Sequence, residues 1–141
     1  MTSSRRRLGF SAAAIFGGCD VDILAQADDL CAMLRGACEA GGYTVVASVS
    51  HAFEPQGVTC ALLLAQSHLV GHSWPEYGIL SVDLFACAPR ATLDIVLAAI
   101  RKASGARWVS EVHQAREMPD MGDELGVRGH PKAVDPAGRG M

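Results

Sequence analysis

The chain has 141 residues, half of them hydrophobic, which argues for one folded domain and against an intrinsically disordered protein. Its formal net charge of −3 gives no reason to expect nucleic acid as a partner, and no apolar segment is long enough to predict a membrane partner. Five cysteines without a Cys-x-x-Cys pair argue against a disulfide framework or a zinc knuckle and predict a reducing, cytoplasmic location.

The N-terminal third predicts a strand and a helix after a short basic tip at residues 1–7. Residues 8–16 are rich in small apolar side chains and are predicted to form the strand. A basic start followed by a short apolar run is also typical of an export signal, but a serine and two glycines interrupt this run, and the strand is favoured. Apolar residues at 23–38 recur at helical spacing, and the glycine pair at 41–42 ends the predicted helix.

The remaining elements are predicted from alternation, apolar runs and helical spacing. They are strands at residues 43–50, 58–65, 79–87 and 107–113, and a helix at 91–104. Within 79–87, odd- and even-numbered residues are expected to face opposite sides of a sheet. The segment 65–78, AQSHLVGHSWPEYG, fits either a loop or a strand. Proline, glycine and charge predominate from Gln114 onward, so residues 114–141 are predicted to form a mobile tail.

The order of these elements predicts the fold class. Short connections between neighbouring strands favour antiparallel pairing, and two helices suffice to cover one face of the sheet. We therefore expect an α+β protein, a two-layer sandwich with a mainly antiparallel sheet and two helices on one face. The other face of the sheet is left bare in this arrangement, which predicts that the protein dimerises.

The central segment 51–88, HAFEPQGVTCALLLAQSHLVGHSWPEYGILSVDLFACA, contains Ser-His at Ser67, His-x-Trp-Pro-Glu from His72, and a later cysteine at Cys87. In these motifs and their order it resembles the small bacterial and archaeal S-adenosylmethionine decarboxylase proenzymes. The resemblance extends over residues 8–113, which it identifies as a single decarboxylase domain. It implies a carboxy-lyase that supplies decarboxylated S-adenosylmethionine for spermidine biosynthesis and works as a homodimer of cleaved chains.

The resemblance also implies that the proenzyme cuts its own backbone between Gln66 and Ser67, giving a β chain of residues 1–66 and an α chain of residues 67–141. The Ser67 hydroxyl lies beside the carbonyl that precedes it, so its attack is intramolecular and has a high effective concentration. An N→O acyl shift, elimination and hydrolysis then convert Ser67 into a pyruvoyl group, the covalent cofactor. Thr59 matches the processing serine of the family and keeps its hydroxyl, and His72 matches the processing histidine, the expected base.

The family pattern further assigns catalytic and substrate-binding roles. The pyruvoyl group derived from Ser67 would hold the substrate amine as a Schiff base and accept electrons as CO₂ leaves. Cys87 matches the general acid that protonates the product carbon. Phe53 is expected to stack on the adenine or to face the sulfonium, Trp74 to shape the wall of the pocket, and Glu76 to accept hydrogen bonds from the ribose hydroxyls.

Four residues depart from the family pattern and leave two other functions open. Gln66 replaces a usual glutamate, Val70 a serine, Gly71 a large aliphatic residue and Ser73 a threonine. The changes at 70 and 71 motivate an arginine or ornithine decarboxylase on the same scaffold. The change at 66 motivates an uncleaved, non-catalytic homologue that acts as a binding or regulatory subunit.

The two histidines of the motif raise the alternative of a zinc site. His68 and His72 have the spacing of metal ligands on one helix face, but Gly71 and Pro75 oppose a helix here. No third ligand is suitably spaced, so no metal is predicted.

Overall fold

The computed structural model describes residues 6–119. Its strands are β1 (Arg7–Gly17), β2 (Val45–Ala52), β3 (Val58–Leu64), β4 (Ser67–Trp74), β5 (Ile79–Ala86) and β6 (Trp108–Glu117). Its helices are α1 (Val21–Ala25), α2 (Ala27–Ala40) and α3 (Arg90–Ser104), and a 3-10 turn at Pro75–Tyr77 joins β4 to β5. No helix in this part of the chain is long and apolar enough to span a membrane.

The six strands form one antiparallel sheet in the order β2-β3-β4-β5-β1-β6. Three consecutive hairpin-like connections place β2, β3, β4 and β5 side by side, as their short loops predict. β1 then pairs with β5 on one side and with β6 on the other. The strand predicted over residues 8–16 is confirmed, since these residues lie within β1.

The hydrophobic core lies between the sheet and the helices. The helices bury Leu24, Leu30, Leu34, Ala37, Cys38, Leu93, Val96, Leu97 and Ile100. Beneath them the even-numbered residues of β5 are buried, namely Leu80, Val82, Leu84 and Ala86, whereas the odd-numbered residues face away from the helices. The α+β two-layer sandwich and the alternation predicted for residues 79–87 are both confirmed.

The helix predicted over residues 23–38 is two helices. Asp20 caps α1 by accepting a hydrogen bond from the backbone N–H of Asp22, at 3.0 Å. Gln26 then has extended backbone, with φ −108° and ψ 125°, and separates α1 from α2. The apolar spacing continues through this break, which is why the sequence did not indicate it. Three helices therefore cover the sheet face where two were expected.

Two boundaries also lie elsewhere than predicted. Arg7 belongs to β1, and β6 continues past His113 to Glu117, where the two strands still pair as Arg7 with Glu117. The long first strand offers a backbone partner to residues 114–117, so these residues form a strand although their composition predicted a mobile tail. Residues 120–141, the remainder of that predicted tail, lie outside the described residues.

None of the described residues 6–119 covers the sheet face opposite the helices. We call it the bare face; alternate residues of all six strands form it, among them Ile15, Val49, Leu63, Val70 and Val112. Val49, Leu63 and Val112 are 69%, 55% and 68% exposed. Apolar surface of this extent is typical of a face that another protein surface covers.

Candidate active site

The predicted cleavage site lies in the turn between β3 and β4. Leu64 pairs with Ser67 across the hairpin, so Ala65 and Gln66 alone form the connection. The backbone N–H of Ala65 donates a hydrogen bond to the Thr44 carbonyl, at 3.0 Å. Gln66 has φ 61°, the left-handed region that residues with a Cβ rarely adopt, and no other non-glycine residue between 6 and 119 does so. A strained residue therefore directly precedes the predicted scissile bond.

Ser67 and Cys87 lie at the same end of the sheet. Ser67 pairs with Ala86, the last residue of β5, and Cys87 follows directly. Ser67 is only 8% exposed, whereas Cys87 is exposed. We call Gln66, Ser67 and Cys87 the cleavage end. The predicted pyruvoyl precursor and the predicted general acid are twenty residues apart in sequence. The antiparallel pairing of β4 with β5 brings them to the same end of the sheet.

A cavity of about 360 Å³ opens beside Cys87. It is lined by Arg7, Leu8, Gly9, Phe10, Cys87, Ala88 and Pro89. The Arg7 guanidinium lies 4.7 Å from the centre of the Phe10 ring, within the range of a cation–π contact. The thiol of Cys87 therefore has room beside it for a small molecule.

A hydrogen-bonded pair that the sequence did not indicate holds the chain after Cys87. The Thr92 hydroxyl donates to the Pro89 carbonyl at 2.7 Å, so the Tyr43 hydroxyl, 2.6 Å away, donates to Thr92. Burial raises the pKa of Tyr43, and this effect outweighs the hydrogen bond with Thr92, which lowers it. Tyr43 is thus held protonated, as its donor role requires.

The second group of predicted residues lines a cavity of about 330 Å³ at the other end of β3 and β4. Five predicted site residues meet there: Phe53, Thr59, His72, Trp74 and Glu76. We call it the recognition cavity. Its polar centre is a direct hydrogen bond between Thr59 Oγ1 and His72 Nδ1, 2.9 Å long. The two residues predicted to act together in processing are therefore in contact.

Strand register and two turns position the walls of the recognition cavity. Thr59 and His72 are direct partners in the β3–β4 pairing, and the His72 and Trp74 rings lie 6.3 Å apart. The turn before β3 closes with a hydrogen bond from the Phe53 N–H to the Gly57 carbonyl, at 2.8 Å. The 3-10 turn after β4 carries Glu76 to the rim of the cavity.

Ser73 and Gly71 face the helices and do not belong to the bare face. The buried Ser73 hydroxyl accepts a hydrogen bond from the Val58 N–H at 3.0 Å and donates one to the Leu24 carbonyl at 2.8 Å. It thereby ties α1 to β3 and β4. A Cβ at Gly71 would lie 2.8 Å from Cδ1 of Leu34, so the leucine of α2 fills the space that a larger residue takes in the family pattern.

His72 and Ser67 are not brought together within one chain. They are five residues apart on β4, which corresponds to about 16 Å along a strand. Because side chains alternate, Ser67 faces the helix layer and His72 faces the bare face. His68 and His72 share the bare face but lie about 13 Å apart along the strand, too far to hold one ion.

Comparisons of the sequence with known proteins identify its family. Residues 13–117 match the family model described as S-adenosylmethionine decarboxylase. A protein of Acidithiobacillus ferrooxidans named S-adenosylmethionine decarboxylase proenzyme is 36% identical over 132 residues, 94% of this chain and 97% of that one. A protein of Thermotoga petrophila with the same name is 32% identical over 122 residues, 86% of this chain and 92% of that one.

A solved structure is similar as well. The crystal structure of the adenosylmethionine decarboxylase from Aquifex aeolicus matches with a TM-score of 0.75 and 26% identity, over 82% of this chain and 95% of that chain. What the two structures share is the two-layer α+β fold. The chain belongs to the S-adenosylmethionine decarboxylase family. The family and the carboxy-lyase class predicted from the sequence are confirmed.

Proposed function

We propose that the chain is a self-cleaving, pyruvoyl-dependent decarboxylase of S-adenosylmethionine that supplies the decarboxylated product for spermidine biosynthesis. The observation that carries the proposal is the recognition cavity, where five residues assigned by the family pattern converge around the Thr59–His72 hydrogen bond. The names of the relatives support the substrate and the proenzyme character.

The cleavage chemistry starts from the chain's own atoms at the Gln66–Ser67 bond. Ser67 Oγ attacks the Gln66 carbonyl carbon, the C–N bond breaks, and an ester replaces the amide. Loss of the Ser67 α-proton to a base then expels Gln66 as a carboxylate. Hydrolysis of the remaining dehydroalanine consumes one water and releases ammonia, leaving a pyruvoyl group. Thr59 and His72 are the residues we assign to stabilising the oxyanion and moving the proton.

Because His72 lies about 16 Å from Ser67 in one chain, we propose that cleavage is completed by a second copy. A twofold axis between two bare faces, perpendicular to β4 and level with its middle, reverses the strand direction. It sets residue 72 of one subunit opposite residue 67 of the other, across the roughly 10 Å that separates packed sheets. The exposed apolar residues of the bare face support such a homodimer.

A pyruvoyl group formed at residue 67 would supply a ketone for the substrate amine and an electron sink for decarboxylation. The position fits this group because Ser67 begins a strand, directly after the bond to be cut. Cys87 at the cleavage end is placed to return a proton to the product carbon. Phe53 and Trp74 offer aromatic faces to adenine or the sulfonium, and Glu76 accepts hydrogen bonds from the ribose.

We also propose a cytoplasmic location, which the five free thiols favour. The changes at residues 70 and 71 were the reason to consider arginine or ornithine as substrate, and the positions of these residues do not support it. Gly71 faces Leu34 on the helix side, away from the recognition cavity, and Val70 lies in an apolar groove of the bare face. No observation therefore favours arginine or ornithine over S-adenosylmethionine.

The substrate is tested by supplying the purified, cleaved protein with carboxyl-labelled S-adenosylmethionine, arginine or ornithine and collecting the labelled CO₂. Release from S-adenosylmethionine alone is expected. Release from arginine or ornithine in its place contradicts the proposed substrate. A Glu76→Gln variant serves as the control for recognition, since it should raise KM while leaving self-cleavage unchanged.

A further inference from the structure

We infer that Gln66 is a positioning residue for self-cleavage, because its left-handed backbone stores strain that is released when the Gln66–Ser67 bond breaks. The inference rests on the proposed cleavage and deepens it. The strained residue is the one that directly precedes the amide to be cut.

The strain follows from the choice of residue at this turn. Among the described residues, every other position with positive φ is a glycine: Gly18, Gly42, Gly57, Gly78 and Gly105. Glycine adopts this conformation freely, whereas a Cβ crowds the neighbouring carbonyl. Between residues 6 and 119, five positions with positive φ are therefore glycine, and only Gln66, beside the predicted scissile bond, has a Cβ there.

The surrounding pairings hold Gln66 in this conformation. Leu64 and Ser67 are paired and are 2% and 8% exposed, so neither end of the turn can move without opening the hairpin. The hydrogen bond from the Ala65 N–H to Thr44 anchors the turn to the segment before β2. Strain at a single residue persists when its neighbours are fixed in this way.

The acyl shift relieves the strain because it lengthens the link across the turn. In the amide, one atom, the Ser67 nitrogen, joins the Gln66 carbonyl carbon to the Ser67 Cα. In the ester, two atoms join them, Ser67 Oγ and Cβ, and the nitrogen becomes a free amine. The longer link has more rotatable bonds and lets Gln66 leave the left-handed region. The ester is thus favoured relative to the strained amide, and cleavage is faster.

Two substitutions separate the backbone of Gln66 from its side chain. Gln66→Ala keeps the Cβ and removes the amide, whereas Gln66→Gly removes the Cβ and so the strain. The full chain is made by cell-free translation and the appearance of residues 1–66 is followed over time. Gln66→Ala is expected to be cut at close to the wild-type rate, and Gln66→Gly about tenfold more slowly.

A stability measurement distinguishes strain from a change in chemistry. In the Ser67→Ala chain, which has no attacking hydroxyl, Gln66→Gly is expected to raise the Tm by about 2–4 °C relative to Gln66→Ala. Ala65→Gly in the same chain is the matched control, and no rise is expected because Ala65 does not have positive φ.

Two results overturn the inference. Equal cleavage rates for Gln66→Gly and Gln66→Ala show that the Cβ has no effect, and if both are slower than the wild type the effect belongs to the Gln66 side chain. An unchanged Tm shows that no strain is stored. A wild-type chain that is never cut contradicts the proposed function itself, and the Tm comparison, which needs no cleavage, still reports whether Gln66 is strained.

Discussion

Ser67 and His72 lie on the same strand, five residues apart, and their side chains face opposite sides of the sheet. Their proximity in sequence therefore does not put the imidazole beside the Ser67 α-proton that it is expected to remove. His72 faces the bare face, so in the proposed dimer it points toward the partner subunit. The dimer would therefore supply the base that one chain alone does not bring to Ser67.

The first prediction is that two defective chains complement each other. Ser67→Ala removes the attacking hydroxyl and His72→Ala removes the base, so each variant alone stays uncut. When both are co-expressed, the chain carrying His72→Ala is expected to be cut, because its partner supplies an intact His72. Mass spectrometry of the 67–141 fragment identifies which chain was cleaved. Cleavage of His72→Ala alone, or none in the mixture, contradicts processing across the dimer.

The second prediction concerns the Thr59 hydroxyl. Thr59→Val has nearly the same shape but loses the 2.9 Å hydrogen bond to His72 Nδ1, and cleavage is expected to slow by about 10² or more. Thr59→Ser keeps the hydroxyl and is the matched control, expected to be cut at close to the wild-type rate. The rate is read from the loss of full-length chain over time. If Thr59→Val were cut as fast as Thr59→Ser, the role of the hydroxyl would be disproved.

The third prediction separates maturation from turnover at Cys87. Cys87→Ala should be cut normally, because the thiol takes no part in the acyl shift, while kcat falls by about 10² or more. Cys31→Ala, which removes a half-buried thiol on α2, is the control and should retain turnover. Decarboxylation is measured as CO₂ release. Full turnover in Cys87→Ala is the result that rejects a general acid at this position.

Iodoacetamide gives an independent check of Cys87. The 67–141 fragment contains this cysteine and no other, and it is the exposed one among the five. Alkylation should therefore add one carbamidomethyl group to that fragment and abolish turnover together. A modified fragment with unchanged activity speaks against the assignment.

The fourth prediction concerns stability in alkali. Burial raises the pKa of Cys38 to about 12, with Glu39 adding to it, and burial raises the pKa of Cys60 to about 12, with Cys31 adding to it. An unfolded chain ionises these thiols from about pH 8.5. Above that pH the unfolded state has released protons that the folded state keeps, so the free energy of unfolding falls as the pH rises toward 12.

Urea denaturation at several values between pH 8 and 10.5 measures this dependence. Each thiol that ionises only in the unfolded chain contributes a slope of about 1.4 kcal/mol per pH unit. The double variant Cys38→Ala with Cys60→Ala should be less stable throughout but show a shallower slope. An equal slope in both proteins indicates that the two thiols are not responsible.

The fold could be predicted from the sequence because its elements follow strong local patterns. Burial of one side of an element leaves a local pattern of apolar residues in the sequence. Such patterns are the alternation in β5, the apolar run of β3 and the helical spacing in α3. The break at Gln26 and the extension of β6 to Glu117 could not be predicted, because a local backbone conformation and a distant pairing partner decide them.

The sequence predicted which residues belong to the site but not how they are arranged in space. The family pattern named Thr59 and His72, and the β3–β4 register brings them into contact. Because of Gly71 and Pro75, the sequence did not decide whether this segment is a loop or a strand. The segment is a strand, and its extended backbone separates Ser67 from His72. The left-handed backbone of Gln66 gave no signal, since sequence motifs for positive φ rely on glycine and asparagine.

The most direct test of self-cleavage is the intact mass of freshly made wild-type chain, followed over time. The mass of the full chain is expected to disappear and to be replaced by two fragments, residues 1–66 and residues 67–141. The second fragment should resist N-terminal sequencing and gain mass with hydroxylamine, which traps a ketone. A chain that stays whole, or a 67–141 fragment that begins with a free serine, contradicts self-cleavage to a pyruvoyl enzyme.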